Sequence, residues 1–233
     1  MKPNEKQKSG IAAPGGFTLV ELLVVISIIG ILAGFTIPAL NSFKRSAVLN
    51  QTRAEMAQLQ TALDSFKAAY GFYPPGNSGD SRINPLYFEL MGTSKIKIGG
   101  VDYFQTLDGS AQIKVVGEVS SAFSGLGGFI NCMKPGAGED APAARSFISG
   151  LKSKQIGSIT NNGVGVTVIL GAVGGPDLTY QPFGVPNVNP WRYACPGTNN
   201  PSSYDLWIKL SISGKTYLLC NWSKQVQINS PLP

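Results

Sequence analysis

The sequence predicts an α+β protein in which a long N-terminal α-helix packs on a small antiparallel β-sheet, with a variable middle region. Three observations carry that reading. No charged residue occurs from Leu22 to Leu40. Beyond that run, apolar residues recur at helical spacing as far as Tyr70. The last forty or so residues are aromatic-rich runs separated by Pro-Gly and Ser-Gly pairs, the pattern of strands and tight turns. The chain of 233 residues divides on this basis into 1–16, 17–40, 41–72, 73–190 and 191–233.

Residues 1–16 form a short basic leader, with Lys2, Lys6 and Lys8 against Glu5. The formal net charge of the whole chain is +6, and without the leader 16 basic and 12 acidic residues remain, about +4. No Arg/Lys stripe with interleaved aromatics follows, so nucleic-acid binding is not expected. A secretory signal places small residues after its apolar region. Here Gly15 and Gly16 come before it, so the apolar stretch would survive a cut at Gly16.

From Phe17 to Leu40 the segment is 24 residues long. As a helix it would reach roughly 36 Å, and a bilayer core needs about 20 apolar residues. Glu21 is the anomaly. A carboxylate costs about 2.5–3.5 kcal/mol at the bilayer centre and less near the interface. A cut between Gly16 and Phe17 would create an α-ammonium group four residues before it. Glu21 would then lie near the first helical turn, where negative charge suits the helix dipole, and could pair with its own amine or a neighbour's. Gly30 and Gly34 form a Gly-x-x-x-Gly, read either as a close-approach surface between helices or as ordinary membrane-helix glycine. Pro38 removes the hydrogen bond to the Gly34 carbonyl, a weak point and an expected kink.

The run Gly16-Phe17-Thr18-Leu19-Val20-Glu21-Leu22-Leu23-Val24-Val25-Ile26, continuing to Pro38, resembles the cleavage and methylation motif of type IV prepilins and type II secretion pseudopilins. The resemblance implies that a membrane aspartyl prepilin peptidase cuts after Gly16 and that the same enzyme class N-methylates Phe17. A methylated amine keeps its charge, so pairing with Glu21 would persist. Gly16 offers no side chain to obstruct an extended backbone entering a peptidase.

After the anchor, Leu49, Met56, Leu59, Leu63, Phe66 and Tyr70 form an apolar stripe. Lys44, Arg45, Arg53, Glu55, Asp64 and Lys67 fall mostly on other faces. Gly71 and Pro74-Pro75 should stop the helix. In the middle region, Asn84-Pro85 opens a short helix through Met91. Lys95–Ile98 and Val101–Phe104 flank Gly99-Gly100 as a hairpin. Gln112–Val119 and Val164–Leu170 have strand character, and Pro142–Ser149 reads as a second short helix. Gly125–Gly128 and Gly171–Gly175 serve turns. Gly214-Lys215-Thr216 imitates the tail of a phosphate-binding loop, but Lys209 stands where that motif needs its first glycine. Ser213-Gly214 is expected to join strands Tyr204–Ser211 and Lys215–Trp222.

Asn189-Pro190-Trp191-Arg192-Tyr193, Pro196-Gly197 and Ser203-Tyr204-Asp205-Leu206-Trp207 resemble the end of major pseudopilins, as does Tyr73-Pro74-Pro75. That resemblance implies a calcium ion bound after the Tyr-Asp-Leu segment, with Asp205 the candidate ligand. Calcium takes six to eight oxygens, several from carboxylates. Ile208–Lys215 holds none, and Lys209 and Lys215 oppose a cation. The alternative is a turn or strand-end hydrogen bond for Asp205, and no other cofactor is expected. The cysteines Cys132, Cys195 and Cys220 allow at most one internal disulfide. If strands at 191–195, 204–211 and 215–222 are neighbours in that order, Cys195 and Cys220 sit on the outer two, about 9–10 Å apart, too far to bond.

The function expected is structural: a pseudopilin of a type II secretion pseudopilus that supports protein export. The expected partners are prepilin peptidase, other copies of itself, related pseudopilins and secretion-system inner-membrane assembly proteins. The expected location is the inner membrane, single-pass, with the Lys-rich leader cytoplasmic, the C-terminal domain periplasmic and the assembled filament in the periplasm. The alternative is a type IV pilin or minor pilin for adhesion, motility or DNA uptake. A membrane-tethered enzyme is the remaining reading. The chain has no histidine, which removes Ser–His and Cys–His pairs and leaves carboxylates such as Glu118, Glu139, Asp140 and Asp177, with no motif around them.

Overall fold

A computed structural model describes residues 16–133, 143–174 and 180–230, with the side chains of 35–41 left out. It consists of an N-terminal helix followed mainly by antiparallel sheets. Helix α1 is assigned from Leu19 to Tyr70. The chain divides into two units, Met1–Lys44 and Arg45–Pro233, treated separately below.

Within the second unit, the helical stripe finds the core that its spacing calls for. Leu59, Leu63 and Phe66 are buried, and Leu49, Met56 and Tyr70 pack partly buried against the same cluster. Full burial of a side chain of this size stabilises by about 1.5–3 kcal/mol. The exposed ion pair Lys97–Asp102, at 3.7 Å, belongs to a class worth about 0–1 kcal/mol. Apolar packing therefore dominates. Glu55 departs from the expected polar face: it is buried, with one oxygen accepting from Gln51 Nε2 at 2.9 Å and the other without a partner.

After α1 the Gly71 backbone takes φ +86° and donates to the Lys67 carbonyl, closing the helix end as expected. Helix α2 runs Leu86–Met91, as read from the sequence, with the Leu86 N–H donating to Asn84 Oδ1 at 3.3 Å. Strands β1 (Thr93–Ile98), β2 (Val101–Thr106), β3 (Gln112–Lys114) and β4 (Cys132–Met133) form one sheet in the order β3-β2-β1-β4. All its pairings are antiparallel except β1 with β4. Strands β5 (Ile156–Asn161) and β6 (Val164–Ile169) make a separate hairpin. Strands β7 (Arg192–Ala194), β8 (Asp205–Ile212), β9 (Lys215–Cys220) and β10 (Ser223–Ile228) form an antiparallel sheet in the order β10-β9-β8-β7. The single small sheet expected is thus three sheets.

Three hairpins share one device. Gly99-Gly100, Asn162-Gly163 and Ser213-Gly214 each place two consecutive residues at positive φ. That is the geometry whose twist matches the flanking strands. Ser213-Gly214 joins β8 to β9 as expected, so Lys215 and Thr216 lie on a strand and not around a phosphate.

Two element assignments change. Gln112–Val119 is strand only through Lys114. Gly117, at φ +85°, ends the extended run, and helix α3 (Glu118–Ala122) carries Val119 into the core. Residues 143–149, the described part of the second expected helix, form no helix. Their backbone groups are taken by distant partners. The Phe147 N–H donates to the Leu90 carbonyl, the Arg145 N–H donates to Asn131 Oδ1, and the Ser149 carbonyl accepts from Gln58.

Asn131 and Glu89 form the buried polar centre of the middle region. Both are fully buried. The Glu89 carboxylate accepts the Ile130 N–H at 2.9 Å and the Asn131 N–H at 3.0 Å. Asn131 Nδ2 donates to the Glu89 and Arg145 carbonyls, both at 2.7 Å. Asn131 Oδ1 accepts from Arg145 N at 3.0 Å and Tyr70 Oη at 2.9 Å. The Asn131 carbonyl accepts from Thr93 N at 2.8 Å.

Burial pushes the Glu89 carboxyl up to about 7 from its ordinary 4.5, against the two backbone donors that favour the anion. The folded state therefore holds a proton that the unfolded state has released between those values. The stability this contributes is full below about pH 4.5 and is lost as pH rises through about 7. Asp80 and Asp108 are held below their ordinary values, so their contributions fall away only under more acidic conditions. The denaturant midpoint should fall from pH 5 to pH 8, by at most about 3 kcal/mol of stability. Glu89→Gln should flatten that slope, and an unchanged slope in the variant would show that another group titrates.

Candidate functional site

In the first unit, Gly16, Phe17 and Thr18 precede the helix. The Gly16–Phe17 peptide bond therefore lies outside α1, in backbone that the helix does not protect. The helix begins with a reciprocal cap. The Thr18 N–H and hydroxyl both donate to Glu21 Oε2, at 2.9 and 2.7 Å, and the Glu21 N–H donates to Thr18 Oγ1 at 3.2 Å. This is a capping box, which satisfies donors that a helix start otherwise leaves open. The Thr-x-x-Glu spacing at 18 and 21 is the signal that could have revealed it. Glu21 thus sets where the helix starts, in addition to any pairing with an amine.

The side chains that follow find no core in this unit. Phe17, Leu19 and every large apolar residue from Val20 to Leu32 are exposed, Phe17 and Leu19 by 84% and 79%. A continuous exposed apolar surface of this kind marks a protein or membrane contact. Gly30 and Gly34 have no atom within 4 Å of where a Cβ would sit, leaving bare backbone on the helix surface. Pro38, the expected kink, lies among the residues whose side chains are outside the described set. Among the described residues, no helix is long and apolar enough to cross a membrane. The apolar run of the sequence continues beyond Gly34 through 35–40, where side chains are not described.

The other candidates resolve differently. Glu118 accepts the Lys114 N–H at 2.9 Å and pairs with Lys114 Nζ at 3.1 Å, a fastening at the start of α3. Glu139, Asp140 and Asp177 lie outside the described residues. Asp205 is buried at the start of β8, and its carboxylate is bonded to the amides of Asn199 and Asn200. Among the described residues, no group of three His, Cys, Asp or Glu is placed to hold a metal ion. All three cysteines are free thiols; Cys220 lies on β9 and Cys195 follows β7, with β8 between those two strands.

A family model described as the prokaryotic N-terminal methylation motif matches residues 13–37. That range holds the loop before the helix, the capping box and both exposed glycines. The N-terminal part of the chain is similar to that of type IV pilin-like proteins. It is 37% identical over 79 residues to the type II secretion system core protein G of Escherichia coli (strain K12), covering 34% of this chain and 50% of that protein. It is 39% identical over 64 residues to the core protein G of Vibrio cholerae serotype O1, covering 28% of this chain and 44% of that protein. It is 35% identical over 81 residues to the fimbrial protein EcpB of Eikenella corrodens, covering 34% of this chain and 51% of that protein. The chain thus spans about half the length of the curated relatives it matches. No solved structure matches.

The cap makes a local prediction. Thr18→Ala removes the hydroxyl from both sides of the box, at a cost of about 1 kcal/mol. Amide exchange at Glu21 should quicken roughly fivefold while exchange in the second unit stays the same. Unchanged exchange at Glu21 would mean that the cap does not hold the helix start.

Proposed function

We propose that this chain is a pseudopilin, a structural subunit of a type II secretion pseudopilus. The observation that carries the reading is the arrangement at 16–21: a scissile Gly16–Phe17 bond before the helix, followed at once by a capped helix with an exposed apolar surface. It coincides with the methylation-motif match and with similarity to core protein G. Prepilin peptidase cuts after Gly16, and Phe17 is then N-methylated. The segment 17–40 holds the chain in the inner membrane as a single span, with the C-terminal domain in the periplasm. It later leaves the bilayer for the core of the filament. Other copies, related pseudopilins and the inner-membrane assembly proteins are its partners. No step calls for catalysis by this chain.

The physical division of labour is simple. Apolar burial between helices supplies affinity, and Gly30 and Gly34 let backbones approach closely. Pairing of the Glu21 carboxylate with the Phe17 amine of a neighbour supplies axial register, because an unpaired charge in an apolar filament core is costly. Pro38 gives α1 its weak point. The similarity to fimbrial protein EcpB favours a second reading, a pilin or minor pilin of a surface fibre used in adhesion, motility or DNA uptake.

Deleting the gene separates the two. Loss of folded proteins from the medium, with their accumulation in the periplasm, is the result expected of a pseudopilin. An unchanged secretome with missing surface fibres would move the assignment to the pilin. Mass spectrometry of the processed chain should find N-methylphenylalanine at Phe17. Glu21→Ala should still be cut at Gly16 yet fail to assemble into filaments, and normal filaments from that variant would remove the register role.

A further inference from the structure

The resemblance at the C-terminus implies a calcium ion beside Asp205, and the residues present do not fit one. We infer that a metal-free amide cluster holds the 196–204 loop in place of a cation, so that the C-terminal sheet folds and stays folded without calcium. Asp205 Oδ2 accepts the Asn199 N–H at 2.7 Å and Asn199 Nδ2 at 3.0 Å. Asp205 Oδ1 accepts the Asn200 N–H and Asn200 Nδ2, both at 3.0 Å. A carboxylate has about four lone-pair sites, and four donors use them.

The surroundings close off the remaining approaches. The Tyr204 carbonyl, a natural oxygen ligand, accepts from Asn200 Nδ2 at 3.1 Å and Asn221 Nδ2 at 2.9 Å. Asn221 Oδ1 accepts the Leu206 N–H at 3.0 Å. A Cβ on Gly197 would lie 2.6 Å from Asp205 Oδ1, so backbone packs against the carboxylate itself. From Leu206 to Trp222 the sequence has no acid but carries Lys209 and Lys215. A calcium ion here would meet N–H groups, the positive ends of dipoles, and would lack the carboxylates it needs. The cluster supplies what the ion would: positive potential around one buried carboxylate, and a link from the loop to both β8 and the turn after β9.

The test is thermal unfolding of the full-length processed protein in detergent micelles, with millimolar calcium or with chelator. The midpoint should be the same in both. Asn200→Ala removes one of two side-chain donors to Asp205 and should lower the midpoint by roughly 5 °C, equally in both media. Asp205→Asn should do the same. Should it fail to fold, Asn200→Ala still reads the cluster. A calcium-dependent rise in the parent protein's midpoint overturns the proposal, as does an undisturbed midpoint in Asn200→Ala. The measurement is independent of the filament role. A secretion or fibre assay that contradicts the pseudopilin reading leaves this one standing.

Discussion

The middle of the molecule hangs on one asparagine. Every polar atom of Asn131 is used, and its partners come from four places: Tyr70 at the end of α1, Glu89 on α2, Thr93 at the start of β1 and Arg145 in the strap that follows. Buried amides are unforgiving, because each unpaired group carries a desolvation cost of about 1–3 kcal/mol. Full satisfaction here therefore selects one arrangement of these four segments over near alternatives. The parallel pairing of β4 with β1, the exception in that sheet, follows directly. The Asn131 carbonyl receives the Thr93 N–H and sets the register in which Cys132 lies beside Thr93. Glu89 extends the same centre at an electrostatic cost, since burial resists its ionisation more strongly than two backbone donors favour it.

Around that centre the apolar groups do the larger share of the stabilising. Phe66, Tyr70 and Phe147 contact one another in tilted and edge-on arrangements, and Phe88 stacks on Phe129 at 4.8 Å. Aromatic pairs of this kind add about 0.5–1.5 kcal/mol beyond the area they bury. The two units therefore obey opposite rules. In the second unit the helix satisfies its apolar stripe within its own chain. In the first, the large apolar side chains from Phe17 to Leu32 are exposed.

Much of this was readable from the residues. The helix start and the apolar stripe follow from local chemistry, so Glu21, Leu59, Leu63 and Phe66 could be singled out without a fold. The hairpins at Gly99-Gly100 and Ser213-Gly214 were legible for the same reason, since their turn residues carry the signal. Asn162-Gly163 carries the same signal between β5 and β6. What local chemistry could not supply was tertiary competition. Residues 143–149 look helical, yet Leu90, Asn131 and Gln58 claim their backbone groups first. The Asn131 centre was invisible because its partners are up to 61 positions away. The Asp205 cluster was half legible: the missing acids were plain, while the four amide donors needed coordinates.

The tie between Tyr193 and Pro74 has a consequence for biosynthesis. The Tyr193 hydroxyl donates to the Pro74 carbonyl across 119 positions, and Asn84 Nδ2 donates to the Trp191 carbonyl across 107. Both Tyr193 and Trp191 are almost completely buried. The segment just after α1 therefore cannot complete its packing until a ribosome has added more than a hundred further residues. Contacts of such sequence separation are slow to form. Over that interval the Pro74 carbonyl and the Asn84 amide wait for Tyr193 and Trp191, which arrive only with β7.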